Sequence, residues 1–125
     1  MIVLDANYLI AASHATSREF KDIQRWQDAG EAIATAAIAW TEFLGGPVHP
    51  DDIVDMQGLL NAGIFSFDDT CAETAARLFN ATGRRRSLRV DAMIAATVIE
   101  KDARLATRNS TDFQLFIPHG LKLAT

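Results

Sequence analysis

Residues 1–10, MIVLDANYLI, decide the fold. Ile2, Val3 and Leu4 are consecutive apolar residues, two of them β-branched, and the run stops at Asp5. A short, unbroken apolar run of this kind is how a parallel strand covered on both faces reads. The strand is therefore expected to end at Asp5, and Asn7 to Ala12 to continue as a short helix. The rest of the chain has to supply the covering layers.

It does so by alternation. Ser17 offers an N-cap for a second helix, whose Phe20, Ile23 and Trp26 form an apolar stripe and which Gly30 closes. Residues 32–39, AIATAAIA, suit a strand or a helix; the reading places a strand at 32–35, then a helix carrying Trp40, Glu42, Phe43 and Leu44, ended by Gly45, Gly46 and Pro47. Pro50 with Asp51 and Asp52 has the composition of a helix's first turn, with Gly63 as its expected terminator and IFSF, 64–67, as the next strand. Asp68 caps a helix through Asn80, on which Ala72, Ala75, Ala76 and Phe79 recur at helical spacing before Gly83. The strongest helical pattern runs from Val90 to Ile99, with Asp91 in its first turn, where the helix dipole favours negative charge. A strand is expected at 104–107, RLAT, a polar turn at 108–112, RNSTD, and an edge strand in LKLA, 121–124. Strands and helices in this order predict a three-layer α/β/α sandwich with a central, mainly parallel sheet.

A chain of 125 residues, 49 % apolar, suits one domain spanning 1–125. Asp5 interrupts the first apolar run, and no stretch approaches the ~20 apolar residues of a membrane span. Cys71 is the single cysteine and cannot form an internal disulfide, so the expected compartment is the cytoplasm. A formal net charge of −4 argues against nonspecific coating of nucleic acid. Locally, however, Arg84, Arg85, Arg86 and Arg89 form a basic strip able to hold a phosphate backbone, or equally a solvated loop. His14, His49 and His119 lack zinc-like spacing and receive no role; Trp26 and Trp40 read as core or dimer contacts, and Cys71 as inert.

Four acids carry the chemistry. In an open parallel sheet, ligands bind outside the carboxyl ends of the strands. Asp5 and the turn after Thr107 fall at that edge, whereas the position of Asp91, opening a helix that runs into the strand ending at Thr107, is left open. Glu42 sits among Ile38, Ala39, Phe43 and Leu44, so it is expected to be mostly buried and to need a partner. No lysine or arginine lies between Arg25 and Arg77 to provide one nearby. Asp112 completes the set. Singly, each has an ordinary explanation as a helix-start acid, a turn residue or a strand-end cap. Converging at ~5 Å, each pair would repel by about 3 kcal/mol at an effective dielectric of 20, which calls for a cation. Oxygen-only ligands select Mg²⁺ or Mn²⁺ over zinc or an iron–sulfur cluster, and the chemistry that follows is phosphodiester hydrolysis.

Taken together, four local patterns resemble the PIN-domain ribonucleases, in particular the VapC-like toxins of VapBC toxin–antitoxin systems. IVLDANYLI resembles the opening strand with its first acid, Asp5, and nearby polar residue, Asn7. TEFLGG resembles the segment of the second acid, Glu42, and VDAMIAATVI the helix of the third, Asp91. LATRNSTDF resembles the closing motif, with Thr107 and Asn109 supporting the site and Asp112 as fourth acid. The resemblance covers essentially the whole chain. It implies an endonuclease acting on single-stranded or structured RNA with Mg²⁺ or Mn²⁺, a homodimer, and inhibition by a cognate VapB-like antitoxin protein. Ala6 and Ala36 depart from it, standing where relatives often place serine or threonine, which is expected to tune activity.

Other functions fit less well. A phosphatase using a strand-end aspartate wants a second aspartate two positions on, where Asn7 stands. A receiver domain wants a lysine after a late strand, where Thr107 and Arg108 stand. A metal-dependent DNA nuclease and a non-catalytic, metal-stabilised binding module remain the alternatives, the second weakened by the presence of all four acids.

Overall fold

A computed structural model describes residues 1–125. Strands β1 (Ile2–Leu4), β2 (Ile33–Ala36), β3 (Gly63–Phe65) and β4 (Arg104–Ala106) form one sheet in the order β3-β2-β1-β4, and every pairing is parallel. Around it stand α1 (Ala6–Ala12), α2 (Arg18–Asp28), α3 (Ala37–Leu44), α4 (Pro50–Leu59), α5 (Asp69–Ala81), α6 (Arg89–Glu100) and the one-turn α7 (Ser110–Phe113). No helix is long and apolar enough to cross a membrane.

The period-two geometry of a strand builds the two outer layers. Ile2 and Leu4 of β1 join Tyr8, Leu9, Ile23, Phe43 and Met56 in one core, while Val3 joins Leu78, Ile94, Val98 and Phe113 in the other. All three β1 residues are fully buried, which is why their run is apolar without alternation. On the second face α5 and α6 run antiparallel: Thr74 donates to Glu100 at the end of α6, and Phe79 near the end of α5 meets Arg89 at the start of α6. The architecture is the three-layer α/β/α sandwich expected from the sequence. Ser17 and Asp68 cap α2 and α5 as expected, accepting from the Phe20 and Cys71 N–H groups at 3.0 and 2.9 Å.

Boundaries differ where tertiary contacts override local pattern. β2 begins at Ile33 and β3 at Gly63, one residue later and one earlier than expected, and β3 stops at Phe65. Gly63 does not terminate a helix: α4 has ended at Leu59, and Gly63, at φ +84°, opens β3 opposite Ala34. Only glycine turns the chain this way without a Cβ penalty. β4 stops at Ala106, because the Thr107 N–H is taken by Thr125 Oγ1 at 3.2 Å. The expected polar turn winds instead into α7 and a following 3-10 segment, Gln114–His119, held down by buried Phe113 and Phe116, edge to face at 6.2 Å. LKLA makes one bridge, Leu123 to Leu105, not a strand, since Leu121 is already committed to the core. That bridge still covers the outer edge of β4.

Candidate active site

β1 delivers Asp5 to the carboxyl edge of the sheet, where the chain turns directly into α1. Asp5 Oδ1 accepts from the Ala6 N–H at 2.8 Å, so the carboxylate caps α1, and Oδ2 accepts from Thr107 Oγ1 at 2.8 Å. Thr107 is there because β4 pairs with β1 in the register Leu4 to Ala106, which places the two strand ends side by side. Its hydroxyl oxygen also accepts from the Asn109 N–H at 3.0 Å, and Asn109 Nδ2 donates to Asp112 Oδ2 at 2.7 Å. Asn7 Oδ1 accepts from the Arg108 N–H at 3.1 Å, joining the same two chain turns from the other side. Thr125 Oγ1 donates to the Thr107 carbonyl at 3.0 Å and so holds this junction from outside.

Two further helices bring acids to that edge. A cleft of about 320 Å³ is lined by Asp5, Ala6, Asn7, Ile10, Glu42, Asp91 and Asn109. Asp91 reaches it because a helix feeding a parallel strand runs antiparallel to that strand, which puts its first turn at the strands' carboxyl ends. This answers the position that the sequence left open. Glu42 departs from expectation: it is exposed at the rim, since α3 buries only Ala39 and Phe43. Asp112 does not line the cleft and meets it through Asn109.

The electrostatics show what the crowding does. Asp91 is pushed up to about 6, first by burial and then by the charges of Asp5, Asp112 and Glu42. Burial also raises Asp5, against the opposing pull of its hydrogen bonds from Thr107 and Ala6. Partial loss of water, and after it the charge of Asp5, raise Glu42, so the two together supply the need for a partner that full burial was expected to supply. No ion pair in the protein involves Asp5, Glu42, Asp91 or Asp112. No cationic residue lines the cleft either. No three acidic, histidine or cysteine side chains close into a ready-made metal cage. What fits a cation is the donor chemistry, oxygen alone, and the unbalanced charge; both suit a hard divalent ion.

The remaining candidates lie elsewhere. Arg84 and Arg89 place their guanidinium groups over the Phe79 ring, at 5.4 and 5.1 Å, and Arg84 also donates to Asn80. Arg85 and Arg86 are exposed, and none of the four arginines lines the acidic cleft. His49, given no role from sequence, caps α4, its Nδ1 accepting from the Asp51 N–H at 3.1 Å. Trp26 stacks on Tyr8 and Trp40 on Phe43, at 5.9 and 5.1 Å, packed against the first core, and Cys71 is buried. At Ala36 the missing hydroxyl leaves α3 without a side-chain cap. Sequence reasoning passed over Arg108 and Glu19, whose Nε and Oε1 stand 3.4 Å apart, although Arg108 lies between two residues it had singled out.

Solved structures share this fold. FitAcB from Neisseria gonorrhoeae superimposes with a TM-score of 0.73 at 20 % identity over 100 % of this chain and 97 % of that one. VapBC2 from Rickettsia felis, bound to a DNA fragment from its promoter, gives 0.75 at 19 % identity over 98 % and 97 %. A toxin–antitoxin complex from Klebsiella pneumoniae gives 0.67 at 23 % identity over 90 % of each chain. No curated protein sequence gives a significant match. The family model of the PIN domain matches residues 2–115, a span that takes in all four strands and all four acids. By that match, and with the parallel sheet and acidic cleft beneath it, the chain belongs to the PIN domain family.

Proposed function

We propose that the protein, as one nuclease unit over 1–125, is a divalent-metal-dependent endonuclease that hydrolyses phosphodiester bonds of single-stranded or structured RNA. In this reading it is the cytoplasmic toxin of a toxin–antitoxin pair, working as a homodimer. PIN domains are generally nucleases, and the observation that carries the reading here is the cation-free cleft in which burial and three neighbouring acids raise Asp91. Asp5, Glu42 and Asp91 would hold Mg²⁺ or Mn²⁺, with Asp112 as the fourth acid. When bound, such an ion activates a water and stabilises the leaving oxygen.

The chain's own residues do the positioning. Thr107 and the Ala6 N–H bind one oxygen each of Asp5 and so fix the plane of its carboxylate. Asn109 orients Asp112, and Asn7 ties the Arg108 backbone to the cleft wall. Arg84, Arg85, Arg86 and Arg89, on the strip leading into Asp91, are assigned to phosphates lying outside the cleft. The partner assigned is a VapB-like antitoxin protein, on the support of the shared fold with toxin–antitoxin structures.

The test is cleavage of labelled single-stranded RNA and of matched DNA in Mg²⁺, Mn²⁺ or EDTA, with wild type, Asp5→Asn and Asp91→Asn. Metal-dependent RNA cleavage that is lost in both variants supports the reading. Activity that survives EDTA or both substitutions overturns it, and equal cleavage of DNA removes the RNA assignment.

A further inference from the structure

We propose that Arg108 is a phosphate-binding residue beside the acidic cleft and that buried Glu19 is the positioning residue that holds it. The inference rests on the nuclease reading above. A cleft whose only charged residues are acids repels the polyanion it has to receive, so a phosphate backbone needs cations at the rim.

Arg108 does not itself line the cleft, but its backbone is tied to residues that do. It stands between Thr107, which binds Asp5, and Asn109, which lines the cleft, and its own N–H is held by cleft-lining Asn7 at 3.1 Å. Its direction is set by Glu19, which is 8 % exposed in the first turn of α2, where the helix dipole favours a negative charge. The Arg108 Nε lies 3.4 Å from Glu19 Oε1, and Arg108 is the one ion-pair partner that Glu19 has. The guanidinium makes no hydrogen bond, and its side chain is 58 % exposed. Glu19 thus stands on the Nε side and leaves the two terminal nitrogens without a partner, available for the bidentate grip of a phosphate. Arg84 and Arg89, by contrast, lie over Phe79 and away from the cleft lining, where they serve phosphates farther along the RNA strand. Contact of this kind is with phosphate and carries no base preference.

Steady-state cleavage of single-stranded RNA and anisotropy binding of the same RNA by the inactive Asp91→Asn protein in EDTA test both parts. Arg108→Ala is expected to raise KM about tenfold with kcat within about twofold, to weaken binding likewise, and to lower the salt slope by about 0.7. Arg77→Ala, which removes an exposed charge on α5, is the control and is expected to leave KM unchanged. Glu19→Gln is expected to raise KM about threefold alone and to add nothing in the Arg108→Ala background, the mark of acting through Arg108. KM and affinity in Arg108→Ala equal to those of Arg77→Ala overturn the phosphate role while the nuclease reading stands. A Glu19→Gln effect that persists without Arg108 overturns the positioning role. A wild type that cleaves no RNA, although Asp5→Asn and Asp91→Asn fold normally, overturns the nuclease reading and this inference with it.

Discussion

On α2, Glu19 and Asp22 are each 8 % exposed, and each has a cation: Glu19 faces Arg108, and Asp22 takes Arg25 at 2.8 Å together with the Tyr8 hydroxyl at 2.8 Å. In the cleft, Asp5 is 5 % exposed and receives only neutral donors, Thr107 and the Ala6 N–H, while half-buried Asp91 accepts no hydrogen bond at all. The two regions differ in pairing far more than in depth. An acid that faces a cation has its charge answered within the fold, and removing the cation would strand a buried carboxylate. Acids left together without cations cost stability, and a fold keeps such an arrangement where function uses it.

The comparison breaks most visibly if the unpaired acids are expendable. Asp5→Asn and Asp91→Asn are each expected to lower RNA cleavage about 1,000-fold, equivalent to roughly 4 kcal/mol of transition-state stabilisation. Single-turnover kinetics at saturating Mg²⁺ measure this. Asp22→Ala should do the reverse, lowering stability by about 1–3 kcal/mol in urea melts by stranding the buried Tyr8 hydroxyl, while cleavage per folded molecule is kept.

A sharper and smaller test is the sign of the stability change at the cleft. The folded Asp91 carboxyl lies at about 6, above its ordinary 3.8, so between these values the native state holds the proton more tightly than the unfolded chain. Stability of the metal-free protein is then expected to fall as pH rises through that window, with Asp5 and Glu42, also raised, pulling the same way. Thermal melts in EDTA from pH 4 to about 7.5 should show this decline, and Asp91→Asn should flatten it and gain about 1 kcal/mol at the upper end. Added Mg²⁺ should recover the loss in wild type and not in the variant. The smallest effect is expected for Thr107→Val, which removes the hydroxyl from Asp5 and from the Asn109 N–H. A loss below about 1 kcal/mol is expected, with a higher Asp5 pKa that moves the acid limb of the cleavage pH profile upward. An unmoved limb would mean that Thr107 does not tune Asp5.

Legibility from sequence followed range. The apolar run of β1, the caps at Ser17 and Asp68, and the first-turn acids of α4 are set by residues a few positions apart, and the structure places them where the sequence does. Errors gathered where a neighbour from elsewhere in the chain competes. Gly63 lies in sheet register with Ala34 instead of ending α4, and Phe113 and Phe116 draw the expected turn into a helix over the core. Glu42 looked buried because its neighbours in sequence are apolar, yet α3 turns only Ala39 and Phe43 inward. His49 was legible only as a residue without a role until α4 began beside it.

The sequence by itself determined the alternating α/β layers and supplied the candidate acids, because hydrophobic period, cap chemistry and charge are local properties of the chain. Only the tertiary structure decided that Asp5 meets Thr107 across 102 positions, that Asp91 joins them, and that Arg108 leans on Glu19. Those meetings depend on strand order and parallel register, which bring distant strand ends to one edge, and no local pattern encodes that geometry.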